Sequence, residues 1–328
     1  MKEKIDIIIP WVDGSDKEWQ RSKNLYKNSV GDDRQIRYRD WDNLKYLFRG
    51  IEEFLPWVNN IYFITYNQKP DWLNTSAAKL KYVVHNDFIP QKYLPTFSAN
   101  PIELNFNHIN DLSEYFIYAN DDMFFLKPLK PSFFFKDGLP VDCCIETANQ
   151  FRKGGIAHII GNDLAVINDH FPKKETIRNN KNIWFSAKYG TELLKNIYML
   201  PFQNFAGFSD PHLPTPYLKS TWNEVWKTEP ELLDRTCEHK VRSNEDVNQW
   251  LFRYWQFVTG KITPGKPKRG KYLDIGKDDE LIEDIIVNQK EPMICLNDVD
   301  PNVDFEKEKK FINNAFSKIL DKKSSFEL

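Results

Sequence analysis

The chain has 328 residues, enough for one large domain or two ordinary ones, and 41% of them are hydrophobic and 15% aromatic, so a sizeable core is within reach. Acids and bases nearly balance, 47 against 45, for a net charge of −2, which argues against a nucleic-acid binder. No run of about 18 apolar residues occurs, so no spanning helix is expected.

At the amino terminus the apolar run is short, early and interrupted by Asp6, unlike a signal peptide. Residues 5–12 (IDIIIPWV) read as a buried strand rich in β-branched side chains. Residues 42–54 read as a helix through Leu44, Leu47, Phe48 and Ile51, with Asp40 or Asp42 to cap its start and Pro56 to close its end. Residues 60–66, 79–85 and 114–119 supply three further strands, and 99–109 a helix before the last of them. Strands alternating with helices predict an α/β fold with a mostly parallel sheet. Residues 131–210 are less periodic and read as an insertion with some helix, such as 189–199. They include Gly154-Gly155. Residues 217–227 and 244–258 read as helices, the second opening on a capping-box pattern of Ser243 and Asp246. Residues 262–272, with two prolines, two glycines and several bases, read as a mobile loop. Residues 303–320 read as a terminal amphipathic helix. The cysteines, Cys143, Cys144, Cys237 and Cys295, form no Cys-x-x-Cys pair and read as buried free thiols. Together these features predict a soluble cytoplasmic protein, with room for peripheral docking at the inner face of the cell membrane.

In open α/β sheets, ligands bind beyond the carboxyl ends of the strands. Three predicted strands end in polar clusters: Asp13-Gly14-Ser15-Asp16, His85-Asn86-Asp87 and Asn120-Asp121-Asp122. If the strands run parallel, the clusters share one rim. Adjacent carboxylates at Asp121 and Asp122 suit a hard divalent cation that bridges phosphates. Each cluster also reads as a turn, with Ser15 or Asp16 as a helix N-cap. Glu103 sits on a predicted helix and reads by default as solvated. A functional role requires that helix to lean over the rim. His212 lies in a proline-flanked loop, DPHLPTP. Arg242 precedes a predicted helix start, a natural anion site, or else pairs with Glu238 or Glu245. Asn297-Asp298 follows the apolar MICL at 293–296 and repeats the strand-then-carboxylate pattern.

In order, these segments resemble the Stealth family over nearly the whole chain. The first block is IDIIIPWVDGSD (5–16). The second runs through RYRDWDN from 37, KYVVHNDFIP (81–90), LPTFSANPIELNFNHI (94–109) and LSEYFIYANDDMFF (112–125). The third runs from His212 through HKVRSNEDVNQ (239–249). The fourth is ICLND (294–298) with SSFEL (324–328). Asn43 and Asn107 depart from the family pattern. The resemblance implies a Rossmann-like core of the glycosyltransferase-A kind, with a helical insertion and C-terminal helices. On that reading residues 1–130 bind a nucleotide sugar, 131–210 are the insertion, and 211–328 complete the active site.

It further implies transfer of a sugar-1-phosphate from a UDP-sugar to a glycan acceptor, lipid-linked or free, with release of UMP, in capsule synthesis. Glu103, Asp122, His212 and Arg242 are the implied catalytic residues, with either His212 or Glu103 as the base. Mg²⁺ or Mn²⁺ is assigned to Asp121 and Asp122, shared with Asp298. Asp13, Gly14, Ser15, Asp16, Arg39, Asp40, His85, Asn120 and Asn297 are assigned to substrate binding. Apart from the resemblance, Lys266, Lys268 and Arg269 on the predicted mobile loop read by default as solvated loop residues, and alternatively as guides for the charged donor. A metal-dependent glycosyltransferase that releases UDP is the first alternative, and a carbohydrate-binding protein without turnover the second.

Overall fold

The computed structural model describes residues 3–26, 39–151 and 156–328. Arg37, Tyr38 and Gly154-Gly155 lie outside them. Strand β1 (Ile5–Pro10) is followed by helices α1 (Lys17–Asn24) and α2 (Leu44–Phe54), then by β2 (Ile61–Thr65), β3 (Leu80–Val84), α3 (Ala99–Leu104), β4 (Tyr115–Tyr118) and β5 (Met123–Phe125). Next come β6 (Phe135–Lys136), β7 (Leu139–Asp142), α4 (Ala157–His170), α5 (Lys173–Asn179), α6 (Lys181–Trp184) and α7 (Leu193–Met199). The remainder holds β8 (Thr215–Leu218), α8 (Lys219–Thr228), α9 (Pro230–Glu238), α10 (Gln249–Val258), β9 (Thr263–Pro264), β10 (Lys271–Asp274), α11 (Asp279–Val287), β11 (Met293–Asn297) and α12 (Phe305–Ser317).

The central sheet has the order β3-β2-β1-β4-β8. Its first four strands are parallel, as the alternation of strands and helices predicts, and β8 runs antiparallel to β4 at the edge. Side chains alternate across it. Ile5, Ile7, Ile9, Phe63 and Ile117 enter one core, with α2 and α12. Ile8, Tyr62, Ile64, Phe116 and Tyr118 enter the other, with α4, α8 and α10. Asp6, fully buried in β1, accepts hydrogen bonds from Asn59 Nδ2 (2.7 Å), the Asn60 amide (3.0 Å) and the Ser113 amide (2.8 Å), which offset its desolvation.

A second sheet, β10-β11-β5, stands beside the first. Asn120–Asp122 is the corner where the chain leaves β4 and enters β5. There the Leu296 amide donates to the Asp122 carbonyl at 2.9 Å. Helix α2 presses on β5 so closely that a Cβ on Gly50 would lie 2.9 Å from the Phe125 carbonyl oxygen, which explains the glycine.

Several sequence expectations are corrected. The helix expected over 217–227 starts as β8, an edge strand that tolerates Pro216 because its amide side needs no partner there. The helix expected from 244 begins only at Gln249, capped by the Asn248 side chain, because Asp246 turns inward. The helix over 99–109 stops at Leu104 and continues as a separate 3₁₀ turn. The segment 262–272 is no mobile loop. It contains β9 and enters β10, and Arg269 is buried, donating to the Phe133 carbonyl (2.7 Å) and to Val141. Lys268 pairs with Glu291 at 3.0 Å. All four cysteines are buried and free. No helix among the described residues is long and apolar enough to cross a membrane.

Candidate active site

The carboxyl ends of β1, β3, β4 and β11 open into one cleft of about 590 Å³. Of the residues expected at the site, Asp13, Gly14, Arg39, Asp40, His85, Asn120, Asp121, Asp122, Arg242, Asn297 and Asp298 line it. Asp13, His85 and Asn120–Asp122 meet because parallel β1, β3 and β4 direct their ends to one rim, and β11 of the second sheet brings in Asn297 and Asp298, up to 285 positions from Asp13.

Asp121 and Asp122 project from the corner after β4. Asp121 faces the cleft, yet protein walls and the neighbouring charge of Asp122 push its pKa up to about 7. Asp122 Oδ2 lies 3.4 Å from Cys295 Sγ and 3.9 Å from His212 Nε2, and its Oδ1 is buried with no donor. These three side chains could converge on one cation. Burial first, then Asp122, pushes the Cys295 thiol far up, so it stays protonated and donates weakly to Asp122. From the trio that leaves the Asp122 oxygens and the His212 ring nitrogen, with the Asp121 carboxylate next in sequence, an oxygen-rich set suited to Mg²⁺ or Mn²⁺.

His212 sits at φ +47°, a conformation that costs a residue with a Cβ about 1 kcal/mol and needs anchoring. The anchor is Asp210, two residues back. Arg253, buried on α10, donates to Asp210 Oδ1 at 2.6 Å and to the Ser209 carbonyl at 3.0 Å. The same guanidinium grips Asp142 in two bonds of 2.7 and 2.8 Å. Desolvation opposes charge on His212, but Asp122, Glu103 and Asp210 outweigh it, and its pKa is raised. At 3.9 Å the Asp122 contact is longer than a hydrogen bond and becomes an ion pair when the ring is protonated.

Glu103 does lean toward the rim on α3, but beneath the cleft surface. It is buried, accepts from Tyr118 Oη at 2.6 Å and from the Gln249 amide at 3.3 Å, and Tyr118 stands between it and the cleft. Burial pushes its pKa up to about 7, against those two donors and the charges of Arg242 and His212. A carboxyl with a raised folded pKa destabilises the fold as pH rises from its ordinary 4.5 through 7. Glu103→Gln is therefore expected to lose about 2–3 kcal/mol less stability than wild type between pH 5 and pH 8. Urea unfolding at the two pH values measures it. Equal losses would show that Glu103 carries no such penalty.

Arg242 forms no ion pair or hydrogen bond among the described residues, neither with Glu238 nor with Glu245, and its guanidinium faces the cleft. Its loop is held by Asp246, which accepts from Asn100 Nδ2 (2.7 Å) and the Ser243 amide (3.0 Å) and pairs with His239 Nδ1 (2.6 Å). Asn100 and Glu103 share one face of α3, so a single helix braces both Arg242 and the buried carboxyl.

Elsewhere on the wall, Asp298 accepts from Trp41 Nε1 at 3.1 Å and faces Arg39 at 3.8 Å, with its Oδ1 and the Arg39 Nη1 left without hydrogen-bond partners. Asn297 donates to Asp274 at 2.9 Å. His85 is kept neutral by burial, which pushes its pKa down to about 4. Two expected ligands are not on the cleft wall. Ser15 directs its amide and hydroxyl to Asp13 Oδ1, at 2.8 and 2.6 Å, and Asp16 caps α1 and accepts from Gln68 Nε2 at 2.8 Å. The N-cap reading of Asp16 holds. Lys266, Lys268 and Arg269 also lie away from the cleft wall, Arg269 because it packs on Phe133.

Sequence reasoning missed Tyr118, Asp246, Asp210 and Arg253. Tyr118 ends β4 two residues before Asn120, so its place beside the rim was readable. Asp210 and Arg253 make their side-chain contacts across distant segments, and Asp246, readable as a local cap, reaches the site only through Asn100 on α3.

Two family models match the chain: Stealth protein CR1, conserved region 1, over residues 3–31, and Stealth protein CR2, conserved region 2, over residues 37–141. A capsular polysaccharide phosphotransferase, WcwK of Streptococcus pneumoniae, is 40% identical over 332 residues, spanning all of both chains. The receptor polysaccharide phosphotransferase WefC of Streptococcus gordonii is 39% identical over 335 residues, again end to end. The exopolysaccharide phosphotransferase cps2G of Lactiplantibacillus plantarum is 34% identical, covering 98% of this chain and 96% of its own. Among solved structures, the bifunctional glycosyltransferase WbbM in its apo form aligns over 97% of this chain and 51% of that one, with a TM-score of 0.37 and 12% identity. Matched in both conserved regions and along its full length by these enzymes, the chain belongs to the Stealth family of phosphotransferases.

Proposed function

We propose that the protein transfers a sugar-1-phosphate from a UDP-sugar to a glycan acceptor, releasing UMP, in the synthesis of a cell-surface polysaccharide. The observation that carries this reading is the meeting at one cleft of Arg242, a guanidinium with no partner among the described residues, and the Asp121–Asp122 pair, with His212 outside the cleft wall but 3.9 Å from Asp122. Phosphoryl transfer needs little beyond positioning and charge neutralisation, and this set supplies both.

Asp121 and Asp122 would hold the divalent cation, with Asp298 nearby on the wall as a further oxygen donor. When bound, the cation neutralises charge on the pyrophosphate. Arg242 holds non-bridging phosphate oxygens through its planar fork. His212, beside Asp122, takes the proton of the attacking hydroxyl in its neutral form; its raised pKa makes that form a stronger base while lowering its share, and Asp122 stabilises the imidazolium that results. The new bond forms at the β-phosphorus, the bond to the bridging oxygen breaks, and that oxygen leaves on UMP. Glu103 serves from below. Shielded by Tyr118, it bears on the charges of His212 and Arg242 without touching substrate.

The test is incubation with a panel of UDP-sugars, a capsule fragment and Mg²⁺ or Mn²⁺. UMP and the phosphorus signal of a diester are expected. Release of UDP instead would mean attack at the sugar carbon and a glycosyltransferase. Binding without either nucleotide would leave only a carbohydrate-binding role.

A further inference from the structure

Helix α7 carries its apolar stripe outward. Leu194, Ile197 and Tyr198, at spacing i, i+3, i+4, lie on one face and are 53%, 46% and 75% exposed. Leu200 and Phe202 extend the stripe, and Phe185 precedes it. Of thirteen large hydrophobic side chains exposed among the described residues, six fall between 185 and 202. Scattered exposed apolar residues are ordinary, but a cluster marks an interaction surface.

The helix cannot roll to bury this face, because its inner face is bolted down by polar contacts. Asn196, fully buried, accepts from the Glu146 amide at 2.7 Å and donates to the Cys144 and Trp184 carbonyls at 2.9 and 2.8 Å. Lys173, buried against Glu146, donates to the Met199 carbonyl at 2.6 Å. Rotating the helix would strand these groups unpaired.

The surroundings are basic. Over residues 174–203 five bases, Lys174, Arg178, Lys181, Lys188 and Lys195, stand against Glu175 and Glu192, in a chain whose net charge is −2. All five bases are exposed. A second copy of the chain is a poor occupant, since a two-fold contact through α7 brings two such basic segments together. An anionic bilayer surface fits both parts: acyl chains take the stripe, headgroups take the lysines, and Tyr198 suits the boundary between them.

We propose that this face is a membrane-docking surface for bilayers containing anionic lipid, seated through α7 and the residues up to Phe202. The test is co-sedimentation of the full chain with vesicles of phosphatidylethanolamine and phosphatidylglycerol, beside vesicles of phosphatidylcholine alone. Binding to the anionic vesicles that weakens with added salt is expected. The pair Ile197→Asp with Tyr198→Ser should weaken it at least about tenfold. Lys188→Glu with Lys195→Glu, which leaves the stripe intact, should weaken it comparably. Leu281→Ser, an exposed leucine on α11, should not. Transfer to a soluble acceptor fragment should be unchanged in all three, so failure here is separable from failure of the proposed reaction. No vesicle binding, equal binding to both vesicle types, or a dimer in solution that Ile197→Asp dissolves would each overturn the proposal.

Discussion

Asp122→Asn is expected to cut turnover by about three orders of magnitude while the fold persists. The substitution keeps size and shape but removes the charge facing His212 and places an amide where a cation needs a carboxylate oxygen. Stability should hold or rise, because Asp121 is then relieved of its like-charged neighbour and its carboxyl moves back toward the ordinary range. Rates on a UDP-sugar and thermal unfolding of the same preparation measure the two effects. Near-normal turnover would take Asp122 out of the chemistry.

The largest effect on stability is expected at Arg253. Arg253→Met is expected to destabilise the protein by about 3–5 kcal/mol, the range for removing one partner of a buried ionic cluster. Burial disfavours its charge, but Asp142 and Asp210 more than offset this and hold it firmly protonated. Without it, both carboxylates remain in the interior unpaired. Asp210 already has its pKa pushed up to about 6 by burial, with Arg253 and Tyr254 working against that rise. Adding Asp142→Asn and Asp210→Asn should recover much of the loss, because the stranded charges then disappear. Denaturant unfolding of the single and triple variants decides it. A loss below about 1 kcal/mol in the single variant would mean the cluster is not ionised as described. The single variant should also slacken the turn that carries His212.

The central strands were legible because each is a short apolar run, three of them closed by polar clusters, and β1 to β4 lie where IDIIIPWV, NIYFITY, KLKYVVH and EYFIYA place them. Helices α2 and α12 were legible from spacing that leaves one face polar. Elements defined by partners rather than by pattern were not. Strand β5 has three residues and exists because β11, some 170 positions later, pairs with it. Helix α10 reads as amphipathic, yet all ten of its residues are buried, because α4 covers the face a two-sided pattern leaves to solvent. At the site, the carboxylates and Arg242 were readable from position and type. The neutral state of Cys295 and the screening of Glu103 by Tyr118 come from burial, which no local pattern encodes.

The corner at Asn120–Asp122 also bears on how such a chain can vary. Tyr118 is in register with Ile8 in one sheet and Met123 with Cys295 in the other, so the length between them is fixed from both sides. One inserted or deleted residue that shifted β5 against β11 would exchange its two buried faces and force Phe124 into the space shaped for Met123 and Phe125. Length changes that surface connections absorb are closed to this stretch, and its constancy would follow from the geometry of two sheets even before any demand for catalysis.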